Sequence, residues 1–398
     1  MPSVLIVRGH LSNPWELSPW LELPDRYQVS YLLTGSNRFT PPERLRAVPA
    51  RALRDLLPRG PLGELAAGVL GDRYLSAEDA FAAADIVHAS ELGFWFAAEA
   101  ARRRRRYGFR LVQTVWETLP LLRTYRNHHA RMFRERVLAE SDLFLAATER
   151  AALALGLEGV SAERIRVCPP GIDTARFAPR PTTGSGTAPS VAREVHTIVS
   201  PGRLVWEKGH QDVLRALALL HRGVVRGPAG EELRPRLLIV GAGPELSRLR
   251  SYAAELALGD VLEIRSVPYE EMPAVFAEAS AMVLASQATA TAAWQPFDVP
   301  RAFWEEQFGL VLAEAMAAGL AIVTTTSGAI PEVLRGAPVE LVAPGDWPAI
   351  ARALAAGPLT RAPGARVSYP QEIVRRYSTT ALAERLTAVY DELLATGT

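Results

Sequence analysis

Short apolar runs recur along this 398-residue chain, separated by segments with helical spacing. That alternation confines the chain to an α/β architecture, because strands linked through helices run parallel and are buried on both faces. Ser3–Val7 (SVLIV), Asp85–His88, Phe109–Val115, Leu143–Ala147 and Arg164–Cys168 read as strands, and Tyr125–Glu140 reads as a helix. Pro169-Pro170-Gly171 then stops the pattern. From Pro179 to Ser190 the composition turns to Pro, Gly, Ser and Thr, which is linker chemistry close to mid-chain. The pattern restarts with strands over Thr197–Ser200, Arg236–Val240, Val261–Ile264, Ala281–Ala285 and Leu320–Thr324. Gly209–Arg222 reads as a helix, and Thr379–Leu394 as an amphipathic one. The expected division is a first domain over residues 1–178, a linker over 179–192 and a second domain over 193–375. Paired domains of this kind hold ligands at the carboxyl ends of their strands.

Charge narrows the partners. Forty-four basic residues face 43 acidic ones, a net charge of +1, which excludes a uniformly basic nucleic-acid protein and an acidic tail. The one cysteine, Cys168, rules out an intrachain disulfide and fits a reducing compartment. MPSVLIVRGH lacks the basic and apolar regions of a secretory signal, and no run reaches the length of a membrane span. The expected location is cytoplasmic. Lysine occurs once, at Lys208, against 43 arginines. A compact point charge kept in so arginine-biased a chain suits a phosphate pocket; the plainer alternative is a solvated survivor.

Three constellations carry chemistry. Ser200-Pro-Gly-Arg-Leu-Val-Trp-Glu-Lys-Gly209 joins a strand to a helix. Gly202 permits a tight turn, and Arg203 and Lys208 can converge beside a helix start, which makes an anion site suited to a diphosphate. The alternative is a turn with two solvated charges. Glu306-Gln-Phe-Gly-Leu-Val-Leu-Ala-Glu314 places the amides of Phe308, Gly309 and Leu310 at a second helix start, flanked by two carboxylates able to accept from sugar hydroxyls. Thr326-Ser-Gly-Ala-Ile-Pro-Glu-Val333 follows a strand, with Pro331 suited to open a helix. Gly241-Ala-Gly243 also follows a strand but lacks full dinucleotide spacing.

In this order GRLVWEKG, IVGAGPE, EQFGLVLAEAMAAG and SGAIPEV, preceded by CPPGIDTARFAP, resemble the glycosyltransferases of family 4 over about residues 164–394. The resemblance implies a GT-B fold: two Rossmann-like domains facing across a cleft, with the C-terminal segment 376–398 crossing back to the first domain. It implies a retaining transfer of a hexosyl group from a UDP- or GDP-linked sugar to an acceptor hydroxyl, with no metal or other cofactor. Arg203 and Lys208 would hold the donor diphosphate, beside Gly202, and Glu306 the transferred sugar. Glu314 would take the ribose, and the amides of Phe308, Gly309 and Leu310 the sugar and phosphate. Arg265-Ser266-Val267 stands where the family places the nucleobase.

The first domain departs from the family. Val7-Arg-Gly-His10 stands in place of a Gly-Gly loop, and Trp116 stands where a histidine is usual. Glu117 is a candidate to take that histidine's catalytic role, the alternative being a packed Trp116 and a solvated Glu117. His10, His88 and Glu91 are further acceptor-side candidates, with His88 equally suited to the core. Between Arg102 and Arg136 eleven arginines face two acids. Arg102–Arg106 could meet an anionic membrane or a phosphorylated acceptor, or simply end a helix. Arg123, Arg126 and His128, just past the WETLP loop, are acceptor-side candidates, and Gln287–Trp304 is long enough to form a wall or lid. The acceptor would be a glycan, a lipid or a small-molecule hydroxyl. The rival readings are a GT-B phosphorylase or epimerase, and a non-catalytic sugar-nucleotide binder.

Overall fold

The computed structural model describes residues 1–9, 14–37, 42, 45–58, 60–121, 128–179, 195–291 and 302–395. The expected linker over 179–192 lies outside these residues except for Pro179. The chain forms two compact units. One comprises Met1–Ile172 with Arg376–Thr398, and the other spans Asp173–Thr291 and Phe303–Arg375.

The first unit is built on β1 (Ser3–Val7), β2 (Gln28–Thr34), β3 (Arg46–Ala52), β4 (Tyr74–Ser76), β5 (Ile86–Ser90), β6 (Arg110–Val115), β7 (Leu143–Ala146) and β8 (Ile165–Val167). They form one sheet in the order β4-β3-β2-β1-β5-β6-β7-β8. The pairs are parallel except β3 with β4. The central strands are continuous apolar runs because both faces are covered; every residue of β5 is buried. β2 and β3 escape sequence reading because they mix polar residues and, in β3, Pro49 into the run. Pro49 pairs with β2 on one side, and β4 reaches β3 only at Arg51 and Ala52, so the missing N–H leaves no ladder bond unmade.

The second unit contains β9 (Thr197–Pro201), β10 (Arg236–Val240), β11 (Leu262–Arg265), β12 (Ala281–Leu284), a ribbon of β13 (Thr289–Thr291) with β14 (Ala302–Trp304), then β15 (Ala321–Thr325) and β16 (Glu340–Val342). The main sheet runs β11-β10-β9-β12-β15-β16, all parallel. The ribbon brackets the centre of the expected lid, whose residues 292–301 lie outside those described. Both sheets reverse their winding direction once, at β1/β5 and at β9/β12. The carboxyl ends of those strand pairs are the places where such sheets receive ligands.

The last helix, Thr379–Ala395, belongs to the first unit. Its Leu382, Leu386, Val389 and Leu393 join a core with Val4, Ile6, Trp20 and Leu145. Each such side chain stabilises the docking by about 1.5–3 kcal/mol. Its Tyr390 is fully buried and organises a polar chain. The Trp20 indole donates to the Tyr390 hydroxyl at 2.9 Å, that hydroxyl lies 2.6 Å from His88 Nδ1, and His88 Nε2 lies 2.7 Å from Thr114 Oγ1. Indole N–H can only donate, so the chain is satisfied when Tyr390 donates to Nδ1 and His88 carries its proton on Nε2. Burial holds the His88 pKa well below its usual value, which keeps the ring neutral. His88 is thus a core histidine with both nitrogens engaged, which corrects its reading as an acceptor-side residue.

Removing the hydroxyl in Tyr390→Phe leaves the indole N–H and one imidazole nitrogen unpaired. The expected loss in urea unfolding is about 1–3 kcal/mol. Tyr390→Ala, which also opens a cavity, costs about 3–5 kcal/mol.

Candidate active site

The site of the second unit grows from the end of β9. Gly202 sits at φ 148°, where an L-residue is strained, and starts a loop that ends in the short turn Trp206–Lys208. Gly209 follows at φ 72° and caps the helix His210–His221. A Cβ on Gly209 would lie 1.8 Å from the Ala285 carbonyl oxygen, so only glycine lets this loop reach the carboxyl end of β12. Gln287 N–H donating to Glu207 O at 2.8 Å locks the approach. Beneath the loop His210 is buried, with Nδ1 2.9 Å from Ser200 Oγ and Nε2 3.2 Å from Arg203 O. Burial pushes its pKa down to about 4, so it braces the loop as a neutral ring.

This bracing delivers Lys208. Its Nζ lies 2.6 Å from Glu306 Oε2 and 5.2 Å from the Trp304 ring centre. Ser286 Oγ donates to the same carboxylate oxygen at 2.6 Å. Glu306 is fixed through its backbone as well. Its N–H donates to Ser327 Oγ at 3.0 Å, and its carbonyl accepts from Ala329 N–H at 2.9 Å. A Cβ on Gly328 would stand 2.2 Å from that carbonyl oxygen, so the Ser-Gly-Ala segment exists to clamp Glu306. Arg203, six residues beyond the start of β9, is exposed and has no side-chain partner among the described residues. The site therefore holds one tethered cation, one untethered cation and one fixed carboxylate at the β9/β12 switch point.

Glu306 is followed by Gly309 (φ 75°), the N-cap of the helix Leu310–Ala317. No side chain caps that end, the kind of helix start that can receive an anion or a polar oxygen. Phe308 is buried and anchors the turn. One turn into the helix, Glu314 is buried and accepts from the Tyr269 hydroxyl at 2.7 Å. Burial pushes its pKa up to about 7, opposed by the Tyr269 bond and the Arg176 charge. Arg176 itself lies over the Tyr269 ring.

Residues 190–356 match the family model for glycosyl transferases group 1, and residues 21–176 match the model for glycosyltransferase family 4. The chain thus resembles the GT-B glycosyltransferases of family 4. It is 30% identical over 285 residues to the D-inositol 3-phosphate glycosyltransferase of Corynebacterium jeikeium, covering 67% of this chain and 61% of that protein. It is 31% identical over 263 residues to the GDP-mannose-dependent alpha-(1-6)-phosphatidylinositol monomannoside mannosyltransferase of Mycolicibacterium smegmatis, covering 60% of each. The match thus spans about three fifths of these curated relatives' length. HepE of Anabaena, solved with UDP and glucose, shares the fold at a TM-score of 0.68 and 16% identity over 98% of this chain and 100% of that one. Sucrose-phosphate synthase from Thermosynechococcus elongatus shares it at 0.66 and 18%, over all of both chains.

The structure sets Lys208 against Glu306, with Gly202 packed beside the Lys208 side chain, and places Phe308–Leu310 and Glu314 at the start of the helix that follows. Arg265-Ser266-Val267 follows β11 at the sheet edge. The Arg265 guanidinium pairs with Glu263 at 3.1 Å and Glu278 at 2.9 Å, so its charge is already engaged. Gly241 and Gly243 serve packing: a Cβ on either would strike Gly202 O (1.9 Å) or Leu204 O (2.3 Å). Sequence reading missed Ser286, Tyr269 and Arg176. Ser286 has one usable signal, its position just past an apolar run; Arg176 lies within the CPPGIDTARFAP motif with no role attached to it, and Tyr269 has none.

In the first unit, Trp116 and Glu117 follow β6. Glu117 Oε1 accepts from the N–H groups of Thr118 and Leu119 at 2.9 Å each, so the carboxylate is partly spent on its own loop. Glu91, at φ 64°, accepts from Trp116 N–H at 3.0 Å, and burial raises its pKa to about 7. The arginine-rich stretch is largely neutralised from within. Arg102 and Arg103 pair with Glu99, Arg103 also with Glu78, Arg104 with Asp142 and Arg105 with Glu140. Arg102–Arg106 lie in the last turns of the helix Trp95–Tyr107, which is the helix-end alternative raised for them. No helix among the described residues is long and apolar enough to cross a membrane. His128 opens the helix His128–Glu140, while His10, Arg123 and Arg126 lie outside the described residues.

Because Glu314 titrates near 7 when folded against 4.5 for an ordinary glutamate, folding keeps its proton over that interval. Its contribution is full below pH 4.5 and is lost as pH rises through 7. Glu314→Gln removes this slope. Subtracting the variant's unfolding free energies from those of the wild type should leave a difference that declines across that window and is flat outside it. His210 tilts both proteins the opposite way below pH 6.5, so it cancels in the comparison.

Proposed function

We propose that this chain moves a hexosyl group from a UDP- or GDP-linked sugar to an acceptor hydroxyl, with retention of configuration and without a metal ion. The observation that carries the reading is the Lys208–Glu306–Ser286 cluster at the β9/β12 switch point, with the exposed Arg203 on the same loop as Lys208. Breaking the bond between the anomeric carbon and the diphosphate builds negative charge on the leaving oxygens. Fixed cations and helix-end N–H groups stabilise that charge without having to reorganise. Lys208 has one carboxylate partner and can exchange it for a phosphate oxygen. Glu306, still held by Ser286 and by its backbone, is then left to accept from a sugar hydroxyl.

The remaining steps need no protein nucleophile. The acceptor oxygen forms its bond to the anomeric carbon on the face the diphosphate leaves, and its proton passes to the departing phosphate oxygen. Arg203 and Lys208 would hold the diphosphate throughout, and Glu314 would take a ribose hydroxyl. The nucleobase would stack beside the backbone of Arg265–Val267. The first unit would supply the acceptor from the loops after its strands, including Glu91, Trp116 and Glu117. Both curated relatives carry a phosphorylated inositol in their names, which favours a polyol acceptor bearing a phosphate group.

Lys208→Ala and Arg203→Ala should each lower turnover by about 10²–10³ with the fold intact. Unchanged turnover in Lys208→Ala would remove the assignment. With EDTA present, one of UDP or GDP at about 100 times its dissociation constant should stabilise the protein by about 2.7 kcal/mol. Thermal unfolding that ignores both nucleotides would count against the donor class, and a shift that vanishes in EDTA against metal independence.

A further inference from the structure

One charged group in the first unit is left without the partners its burial calls for. Arg8 follows β1 directly, at the strand end where the sheet reverses direction. The register Val7 with Ala89 sets Arg8 level with the last residue of β5 and one step from Glu91. Arg8 is only 8% exposed. Its Nε is buried with no hydrogen-bond partner among the described residues, and its nearest carboxylate, that of Glu16, stands 4.0 Å from Nη1. Beneath it lies an aromatic floor: the guanidinium carbon is 5.4 Å from the Trp20 ring centre, and Trp20 packs edge-on to His88. A guanidinium carries five donors in a fixed fork, and burial without acceptors is strongly unfavourable.

We infer that Arg8 is the docking point for a phosphate ester on the acceptor, and that it selects phosphorylated acceptors over their neutral counterparts. This rests on the acceptor-side reading of the first unit given above. A phosphate offers the paired oxygens that a guanidinium fork matches, and Arg8 reaches it where parallel sheets receive ligands. The acidic groups around Arg8 are compatible with an anion there. Burial raises the pKa of Glu16, and that of Glu91 to about 7, so both carboxyls are held toward their neutral forms. Burial first, and the Arg8 charge second, hold His88 away from protonation, so that ring adds no second cation.

The test uses the full chain with its nucleotide saturating, so that added phosphate esters cannot act through the donor site. Thermal unfolding is followed with a polyol, its monophosphate, and vesicles of neutral lipid with or without phosphatidylinositol. The wild type should gain stability from the monophosphate or bind the phosphatidylinositol vesicles, and should ignore the polyol and the neutral vesicles. A response to the monophosphate assigns a soluble ester, and one to the vesicles assigns a lipid headgroup. In transfer assays Arg8→Gln should raise KM for the phosphorylated acceptor at least tenfold and bring the ratio of phosphorylated to neutral acceptor close to one. Arg8→Lys, which keeps the charge but not the fork, should retain part of that preference.

Nucleotide binding by each variant reports whether it has folded. If Arg8→Gln fails that control, Arg8→Lys and the wild-type arms decide the outcome. A wild type that treats both acceptor forms alike, or an Arg8→Gln protein that discriminates as the wild type does, overturns the inference. Loss of nucleotide binding in the wild type would instead overturn the transferase reading on which it rests.

Discussion

Close backbone contact is the constraint on which the second unit depends. Three segments far apart in sequence meet at the carboxyl ends of β9 and β12, and each meeting requires the absence of a side chain. Gly209 lies against Ala285 O, Gly241 against Gly202 O, and Gly328 against Glu306 O, all nearer than a Cβ permits. Backbone bonds then fasten the segments: Gly202 N–H to Val240 O, Gln287 N–H to Glu207 O, and Ala329 N–H to Glu306 O. The 2.6 Å contact of Lys208 with Glu306 is a product of this arrangement. Neither side chain would find the other if the loops stood a methyl group further apart.

The same contacts explain how a site can be charged and still well defined. Lys208 and Glu306 are mostly buried, and unpaired charges there would be strongly unfavourable. Each charge partners the other while the site lacks a ligand, and Ser286 holds the carboxylate in place when the lysine turns away. Arg203, exposed to solvent, needs no such partner. Arg8 in the first unit is the contrasting case: it is about as deeply buried as Glu306, but its Nε has no hydrogen-bond partner among the described residues and its carboxylate neighbour Glu16 stands 4.0 Å away. One unit thus carries a self-satisfied charge pair, and the other a cation with unspent donors.

Much of this was legible before any coordinates. The strands of both sheet centres were visible as apolar runs, since a strand covered on both faces has no other way to be written. Lys208 stood out as a lone lysine, and the motifs around Arg203, Glu306 and Gly328 marked three loops that follow strands or open helices. β2 and β3, on the β4 side of the sheet, are not legible: both mix exposed polar residues into the run, and Pro49 sits inside β3. The arginine run leaves patch and helix end open in the sequence because its carboxylate partners lie at distant positions such as Glu78, Glu140 and Asp142. His88 was ambiguous for a related reason. Whether a histidine belongs to the core depends on what covers it, and its cover is Tyr390, 302 positions away.

By itself the sequence determined the α/β class, the two-part organisation of apolar runs, the family resemblance and the three motif-bearing loops around Lys208, Glu306 and Gly328. Those properties are written in local periodicity and in short motifs, where neighbouring residues carry the signal. Tertiary structure alone decided which charges are spent and which remain available. It paired Lys208 with Glu306, set Arg265 and Arg102–Arg105 against carboxylates, enclosed His88, and left Arg8 Nε without a hydrogen-bond partner among the described residues. A charge's availability is set by desolvation and by partners tens to hundreds of residues away, and neither quantity exists until the chain is folded.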